Sequence, residues 1–582
     1  MSLVSFDIFD TALIRKCGKP ENVFWIMAKE LFPDDRAQQC KFFLWRETIN
    51  DKISQKNVNY TLEDLYKYTN AYCFQENGKI DGSYLRELEY SVEAEMLAAN
   101  PSVSNLIETH RNNGDSIAFV SDMYLNSSFL RGILIREKLF KEGDKVYVSC
   151  ECKARKDDGS LFLLVRSENN PSKWIHYGDN KHSDYAVPKK LGIESHHVEF
   201  GYSRIEQSFW SCSEGLASPS EYSILMGYLR YLRLTSNNTP EDTFAIDFIA
   251  PLYYGYVKHV VDDAKRRGIK TLYFLSRDSY IFMKIAEQIP HEGILLRYLY
   301  VSRKSIQPAF RYIVSDAEYK VAIKETVADV IRDESDKDSF ELLDAYFEQE
   351  GMYDENIALV DLGWFGSTRL MINKLRAHRG TGDCFSYYLC VIRQSLSDNY
   401  GPYDSLSYSE KLSNNSFHTF ILEEYFSLCP HPTVLGYKKD DSHVVPVFGN
   451  DSNVHTNTNA RCCEVNVDNC CRFARLNIRV ELPVLLFYGL NVVGSIDYEL
   501  EKPYIELLFN VCRNENFLFR RMSFKDFHSF VSGRNITIND TLAFEASFDA
   551  GTKVLFRASR KSYYILYFIF DKIKNAISRL CL

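Results

Sequence analysis

The sequence lacks both a secretory signal and a long apolar run. Its first residues contain no basic segment followed by an apolar stretch, and no run of about 18 apolar residues occurs further along. The formal net charge of -9 argues against a protein dedicated to binding nucleic acid. We therefore predict a cytoplasmic protein that has no membrane-spanning helix and no nucleic-acid partner.

The cysteines do not form the pattern of a disulfide framework. The 15 cysteines are scattered over a long chain, which is typical of reduced thiols. Two doublets stand close together, Cys462-Cys463 and Cys470-Cys471. Four thiolates can bind zinc, but the spacing does not match paired CxxC motifs, and a helix here would place the cysteines in a core. The sequence leaves both interpretations open.

The chain is too long for one hydrophobic core. Its 582 residues suggest about three to four domains, and 45% hydrophobic residues are enough to fill their cores. The order of apolar runs and turn residues predicts an α/β protein. The predicted parts are a first domain over 1–205, a linker over 206–240, a second Rossmann-like α/β domain over 241–445 and a mainly helical C-terminal region over 446–582.

The stretch from Val4 to Leu13 carries the strongest chemical signal. An apolar run ends at Asp7, a second acid follows at Asp10, and the hydroxyl of Thr11 comes next. This pattern predicts a buried strand that opens into a turn, and ligands of open α/β sheets bind beyond the strand ends. The alternative interpretation is a buried strand followed by an aspartate that caps the next helix.

A helical block separates this strand from the next one. Residues 15 to about 100 have helical patterns throughout, and strand signals return at Ser116–Val120. A helical insertion directly after the first strand can cover the strand ends, exclude water and contact a substrate.

Three later strand ends add polar groups. Ser121 follows the second strand and suits a phosphate oxygen, and Lys156 can neutralise an anionic site. Asp179 and Asp184 lie on either side of a turn and can hold Mg²⁺ through oxygen ligands. Taken singly, each also fits an ordinary cap, loop or turn.

Together these motifs resemble the haloacid dehalogenase-like (HAD) hydrolase superfamily over residues 1–205. The resemblance implies a Rossmann-like core with a helical cap inserted after the first strand. It implies that Asp7 attacks a phosphoryl group and forms an aspartyl-phosphate, while Ser121 holds a phosphoryl oxygen and Lys156 neutralises charge. It also implies Mg²⁺ as the cofactor. The implied ligands are Asp7, Asp179, Asp184 and the backbone carbonyl of Phe9.

Phe9 departs from the phosphatase pattern. Phosphatases of this superfamily carry an aspartate two residues after the nucleophile, and it serves as the general acid; Asp10 lies one residue further along. Three interpretations follow: a phosphatase that uses Asp10, a cap residue or a good leaving group; a dehalogenase; or a domain that binds a phosphorylated ligand with little turnover.

The first stretch and the Ser121 region look closest to a group of large bacterial HAD proteins linked to surface-polysaccharide synthesis. This resemblance implies a small phosphorylated substrate such as a sugar phosphate, and polysaccharide-synthesis proteins as partners. The alternative function is a catalytically weak phospho-ligand-binding or scaffold protein of polysaccharide assembly.

The second α/β domain repeats the pattern of polar groups at strand ends. Arg277 and Asp278 follow one predicted strand, Arg303 follows another, and Asp361 follows a third. If these ends are neighbours, they form a ligand site for an anion at the edge of the sheet. The arginines would otherwise pair with nearby acids.

The end of the chain is basic and amphipathic. Residues 557–582 combine apolar side chains with arginines and lysines. Such a segment lies on an anionic membrane surface, which would make the protein peripheral to the inner membrane, or packs as a terminal helix.

Overall fold

The computed structural model divides into two compact units, Met1–Asn238 and Thr239–Leu582. Both contain a parallel sheet with helices, which confirms the predicted α/β class. The basic tail at 557–582 lies outside the described residues. The structure describes residues 2–69, 71–74, 78–199, 201–203, 206, 219–237, 239–319, 336–364, 366–391, 402–408, 425–449, 457–486 and 488.

The first unit is built on a five-stranded sheet of order β7-β6-β1-β8-β9, and every pairing in it is parallel. The central strand is almost completely buried, as its apolar run predicts for a strand covered on both faces. Its neighbours on either side are β6 and β8. The strands are β1 (Ser2–Phe6), β6 (Ser116–Ser121), β7 (Lys145–Val148), β8 (Lys173–Gly178) and β9 (Glu194–His197).

The insertion after β1 begins and ends on a short antiparallel pair, in which Leu13 lies opposite Ala99 and Arg15 opposite Leu97. A second short pair interrupts the helices at Ala71–Phe74 and Gly78–Asp81, so the prediction of an entirely helical block is wrong there. Alternating aromatic side chains favour a strand at this point. The elements are β2 (Leu13–Arg15), α1 (Asn22–Leu31), α2 (Arg36–Lys56), α3 (Leu62–Thr69), β3 (Ala71–Phe74), β4 (Gly78–Asp81), α4 (Gly82–Met96) and β5 (Leu97–Ala99).

The remaining helices of the first unit connect its strands or follow the last one. A π-helical turn at Lys181–Ala186 follows β8. The helices are α5 (Pro101–Asn112), α6 (Ser127–Arg136), α7 (Ser149–Cys152), α8 (Ser160–Asn169), α9 (Val187–Lys190) and α10 (Pro219–Leu234).

Helix α10 falls within the segment 206–240, which the sequence assigns to a linker, but it packs on the first unit. Trp25 of α1 donates a hydrogen bond from Nε1 to Glu221 at 2.8 Å, and a Cβ on Gly227 would collide with the backbone of Gly18. This close approach requires glycine. The helix is therefore part of the first unit because its packing face is buried there.

The second unit contains a parallel sheet of order β11-β10-β12-β13-β14. An antiparallel pair, β15 with β16, follows in the chain. The strands are β10 (Thr271–Leu275), β11 (Leu295–Leu299), β12 (Ile357–Trp364), β13 (Phe385–Val391), β14 (Tyr403–Tyr408), β15 (Val434–Asp440) and β16 (His443–Phe448). The helices are α11 (Pro240–Phe244), α12 (Ala250–Arg267), α13 (Tyr280–Ala286), α14 (Arg303–Ile313), α15 (Lys337–Glu350), α16 (Ser367–His378) and α17 (Asn457–Arg475), with a π-helical turn at Ala245–Ile249.

The cysteine doublets lie on α17 and are buried. Cys462 and Cys470 are separated by about 12 Å along one helix, so their thiolates cannot share an ion with ordinary ligand distances. Cys463 and Cys471 donate instead to the backbone carbonyls of Leu428 and Lys284. The structure favours the core interpretation over zinc.

Within the described ranges, no helix is long and apolar enough to cross a membrane.

Candidate functional site

Asp7 is the first residue after β1, where the sheet ends. Its backbone N–H donates to the carbonyl of Tyr177 at 2.8 Å, which continues the pairing with β8 by one residue. The residue is only 5% exposed. The strand therefore delivers a buried carboxylate to the carboxyl edge of the sheet, as the sequence predicts.

Two further carboxylates meet Asp7 at this edge. Asp179 follows β8 directly, and Asp184 returns from the π-helical turn. One ligand oxygen from each of the three lies within 4.8 Å of the others, a group able to hold a metal ion. Gly178 makes the arrangement possible, because a Cβ there would lie 2.5 Å from Asp184 Cγ.

Lys156 lies between the carboxylates. Its Nζ donates to Asp7 and, at 2.6 Å, to Asp184, and the residue is 3% exposed. Its backbone N–H is fixed in turn by the carboxylate of Asp122, at 2.9 and 3.0 Å from the two oxygens. Lys156 is thus held by hydrogen bonds both at its backbone N–H and at its ammonium group.

The charges in this cluster do not balance. Burial raises the pKa of Asp7 against the opposing effect of Lys156. Burial also raises the pKa of Asp179 to about 6, and the nearby acids Asp10 and Asp184 add to that shift. Burial lowers the pKa of Lys156, but Asp7 and Asp184 outweigh this effect and raise it above its ordinary value. A single ammonium cannot neutralise three carboxylates, so a divalent cation would be favourable here.

Ser121 is the last residue of β6 and is 2% exposed. Strand β6 pairs with β1, with Phe119 opposite Phe6, so Ser121 reaches the same edge of the sheet as Asp7. The sequence-predicted residues Asp7, Ser121, Lys156, Asp179 and Asp184 thus share one edge of the first sheet.

Phe9 and Asp10 point to different surroundings. The guanidinium of Arg15 lies 4.0 Å from the centre of the Phe9 ring, so this side chain is a packing partner for a cation. Asp10 has a left-handed backbone, with φ of 54°, and no described residue donates a hydrogen bond to its buried Oδ1. Burial raises the pKa of Asp10, while Arg15 and Arg230 oppose that rise. That the backbone carbonyl of Phe9 binds the metal ion stays a prediction.

Sequence reasoning missed the residues that orient Asp184. Trp174 Nε1 donates to Ser5 Oγ at 2.8 Å, and Ser5 Oγ lies 2.8 Å from His176 Nδ1. An indole N–H can only donate, so Ser5 Oγ accepts from Trp174 and uses its own proton to donate to Nδ1 of His176. The proton of the His176 ring is then on Nε2, which donates to Asp184 at 3.1 Å. Burial lowers the pKa of His176, which fits the neutral ring that this chain requires. The alternation of Trp174, His176 and Gly178 along β8 was the available signal.

A cavity of about 760 Å³ opens between the insertion and the strand-end loops. Four of its wall residues lie within two positions of the site residues in sequence: Asp122 follows Ser121, Arg155 and Asp157 flank Lys156, and His182 lies two residues before Asp184. The wall consists of Ser54, Gln55, Val58, Tyr60, Asp122, Met123, Tyr124, Ser149, Arg155, Asp157, Asp158 and His182.

The predicted site of the second unit also lies at a sheet edge. Arg277 and Asp278 follow β10, Arg303 begins the helix after β11, and Val360 pairs with Phe274, which places Asp361 level with the end of β10. Arg277 adopts φ of 59° and donates to Thr433 Oγ1 at 3.3 Å. Asp361 lies inside β12 and not after it, because the pairing with β13 continues to Trp364, so the prediction that it follows a strand is wrong. The ligand remains a prediction.

Comparison of the chain with protein-family models and with curated proteins finds no match.

Proposed function

We propose that the first unit is a Mg²⁺-dependent phosphohydrolase of the HAD type that acts on a small phosphorylated metabolite. One observation carries the proposal: the carboxylates of Asp7, Asp179 and Asp184 converge at the carboxyl edge of a parallel sheet, with Lys156 bonded to two of them. Phosphoryl transfer depends mainly on positioning and charge neutralisation, and this arrangement supplies both.

In the proposed reaction, a carboxylate oxygen of Asp7 bonds to phosphorus while the bond from phosphorus to the alcohol oxygen breaks. The leaving oxygen takes a proton from Asp10 or from solvent water. A second water then attacks phosphorus and breaks its bond to the Asp7 oxygen, which releases inorganic phosphate and restores the carboxylate. Lys156 and the Ser121 hydroxyl hold the phosphoryl oxygens. Asp7, Asp179 and Asp184 fit Mg²⁺ because all their donors are oxygens, and the ion would neutralise charge at the phosphoryl group.

The second candidate function is a catalytically weak protein that binds a phosphorylated ligand. It is favoured by Phe9, whose ring packs under Arg15 at the position that holds the general acid in phosphatases. Losing such an acid lowers the rate by about 10²–10⁴-fold. Asp10 is the remaining acid nearby, and its left-handed backbone sets it apart from the strand.

The biological setting is proposed from the resemblance of the first stretch and the Ser121 region. It is a cytoplasmic role in surface-polysaccharide synthesis, next to the membrane and to other proteins of that assembly. A sugar phosphate is the substrate that this setting favours.

The test is hydrolysis of a panel of sugar phosphates by the full chain with Mg²⁺, compared with Asp7→Asn. We expect phosphate release by the wild type, its loss without Mg²⁺, and none by the variant. If neither protein releases phosphate while both bind inorganic phosphate, the binding-protein function replaces the enzymatic one. Gly132→Ala on α6 is the matched control, because nothing lies within 4 Å of the added methyl group.

A further inference from the structure

The cavity beside the carboxylate cluster has two unlike walls. The insertion contributes Ser54, Gln55, Val58 and Tyr60, none of which is charged. The strand-end loops contribute the charged side chains. The lining residue Asp122 accepts a hydrogen bond from the backbone N–H of Lys156, so the cavity lies next to the cluster, and the organic part of a bound phosphate ester would lie in it.

The charged wall is mainly acidic. Asp122, Asp157 and Asp158 line it, against one guanidinium, that of Arg155. Arg155 Nε donates to Asp157 at 3.0 Å, and its Nη1 donates to the carbonyl of Val58 at 3.2 Å. The guanidinium is thus engaged by a wall carboxylate and by the backbone of the insertion.

A neighbouring lysine is engaged in the same way. Lys153 Nζ donates to the carbonyl of Asn59 at 3.1 Å and to that of Cys150 at 2.6 Å. Lys153 and Arg155 together hold the loop after α2 on the strand-end loops. These hydrogen bonds direct the donors of Lys153 and Arg155 toward the loop, and Lys153 itself does not line the cavity.

Two aromatic rings complete the wall. Tyr60 and Tyr124 stack with ring centres 5.7 Å apart and an angle of 14° between their planes. Tyr60 donates its hydroxyl to Asn50 at 2.5 Å and Tyr124 donates to Glu89 at 3.1 Å. With both hydroxyls engaged, these residues offer carbon surface that suits the C–H groups of a sugar or polyol.

We propose that this cavity selects a phosphate monoester whose organic part is hydroxyl-rich and carries no negative charge; this rests on the proposed function. The acidic wall repels a second anionic group, and the uncharged wall offers it no compensating cation. Bisphosphates, nucleoside diphosphates and phosphorylated sugar acids are therefore poor ligands. An amino sugar phosphate is accepted at least as well as the neutral one.

The test uses three probes of matched size: glucose 6-phosphate, 6-phosphogluconate and glucosamine 6-phosphate. The measurements are made at pH 8, because imidazole side chains carry no charge there and do not add to the charge of the wall. We expect kcat/KM for glucose 6-phosphate to exceed that for 6-phosphogluconate on the order of tenfold, with glucosamine 6-phosphate equal to or better than glucose 6-phosphate. Equal values, or a preference for the sugar acid, overturn the inference while leaving the phosphohydrolase function intact.

Dissociation constants for the same probes are measured on Asp7→Asn in parallel. If no probe is hydrolysed but the neutral sugar phosphate binds more tightly than the sugar acid, the enzymatic function fails. The charge selection, meaning the selection against ligands with a second anionic group, then stands. If no probe binds, or if all bind alike, the charge selection fails as well.

Gln55→Lys on α2 places a cation on the uncharged wall, and Gln55→Met is its matched control. We expect the lysine variant to lower the ratio of kcat/KM for glucose 6-phosphate to that for 6-phosphogluconate several-fold. The methionine variant should keep the wild-type ratio. A ratio unaffected by the lysine would show that the organic part lies elsewhere and would overturn the inference.

Discussion

Lys156 Nζ lies 2.6 Å from Asp184 Oδ1 and also donates to Asp7, so one buried ammonium bridges the end of β1 and the π-helical turn after β8. All three side chains are at most 7% exposed. The bridge is therefore a structural charge pairing as well as a candidate phosphate contact. Several measurable consequences depend on it.

Replacing Lys156 with methionine leaves two buried carboxylates without their cation. Breaking a buried pair in this way typically lowers stability by about 3–5 kcal/mol. We expect a loss of that size in urea unfolding at pH 8 and a smaller one at pH 5. Burial raises the pKa of Asp7, so Asp7 is protonated at pH 5 and no longer needs the ammonium, whereas Lys156 holds the pKa of Asp184 below its usual value against the effect of burial. Lys141→Met is the control, because its pair with Glu108 is exposed and worth at most about 1 kcal/mol. Equal losses for both variants would contradict this account.

Gly178→Ala tests the carboxylate cluster without changing any of its members. The added methyl carbon would lie 2.5 Å from Asp184 Cγ, so Asp184 must move. We expect Mg²⁺ affinity, measured by calorimetry, to fall at least tenfold, because a displaced ligand no longer meets the other two. Gly132→Ala on α6 should bind Mg²⁺ like the wild type. Normal Mg²⁺ affinity in Gly178→Ala would show that Asp184 is not a ligand.

Phe9→Asp restores the acid that phosphatases of the resembling superfamily carry. If turnover is limited by the absent general acid, phosphate release should rise by about 10²–10⁴-fold. Arg15 lies over this position and would lower the pKa of the new carboxyl, so the lower end of that range is expected. Phe9→Asn has the same size but cannot donate a catalytic proton and should show no rise. No difference between the two variants would mean that another group protonates the leaving oxygen.

Magnesium affinity should depend on pH through Asp179. Burial raises the pKa of this carboxyl to about 6 in the metal-free protein, and a metal ion binds the ionised form. The affinity should therefore fall as the pH decreases through about 6, by up to tenfold per pH unit for this one proton, with Asp7 adding to the decrease because its pKa is also raised. Titrations between pH 5 and pH 8 measure this, and Asp179→Asn should lose the contribution near pH 6. An affinity independent of pH would contradict the assignment.

Much of the first sheet was predictable from local pattern. Apolar runs that end in Asp7, Ser121 and Asp179 mark strands buried on both faces, and parallel strands carry such ends to one edge. The short antiparallel pairs of the insertion were not predicted, because strands of three or four residues leave too little periodicity. The place of helix α10 in the first unit was not predicted, because it depends on the close approach of Gly227 to Gly18, a contact between residues far apart in sequence.

The sequence by itself determined which chemical groups are present and that strands deliver them to turns. It determined neither the pairing of Lys156 with Asp184 nor the chain of hydrogen bonds from Trp174 through Ser5 and His176 to that carboxylate. It also did not determine the acidic character of the cavity wall, which combines residues from separate loops with those of the insertion. Only the tertiary structure decided these features, because the energies of buried charges depend on distances between side chains that the order of residues does not fix.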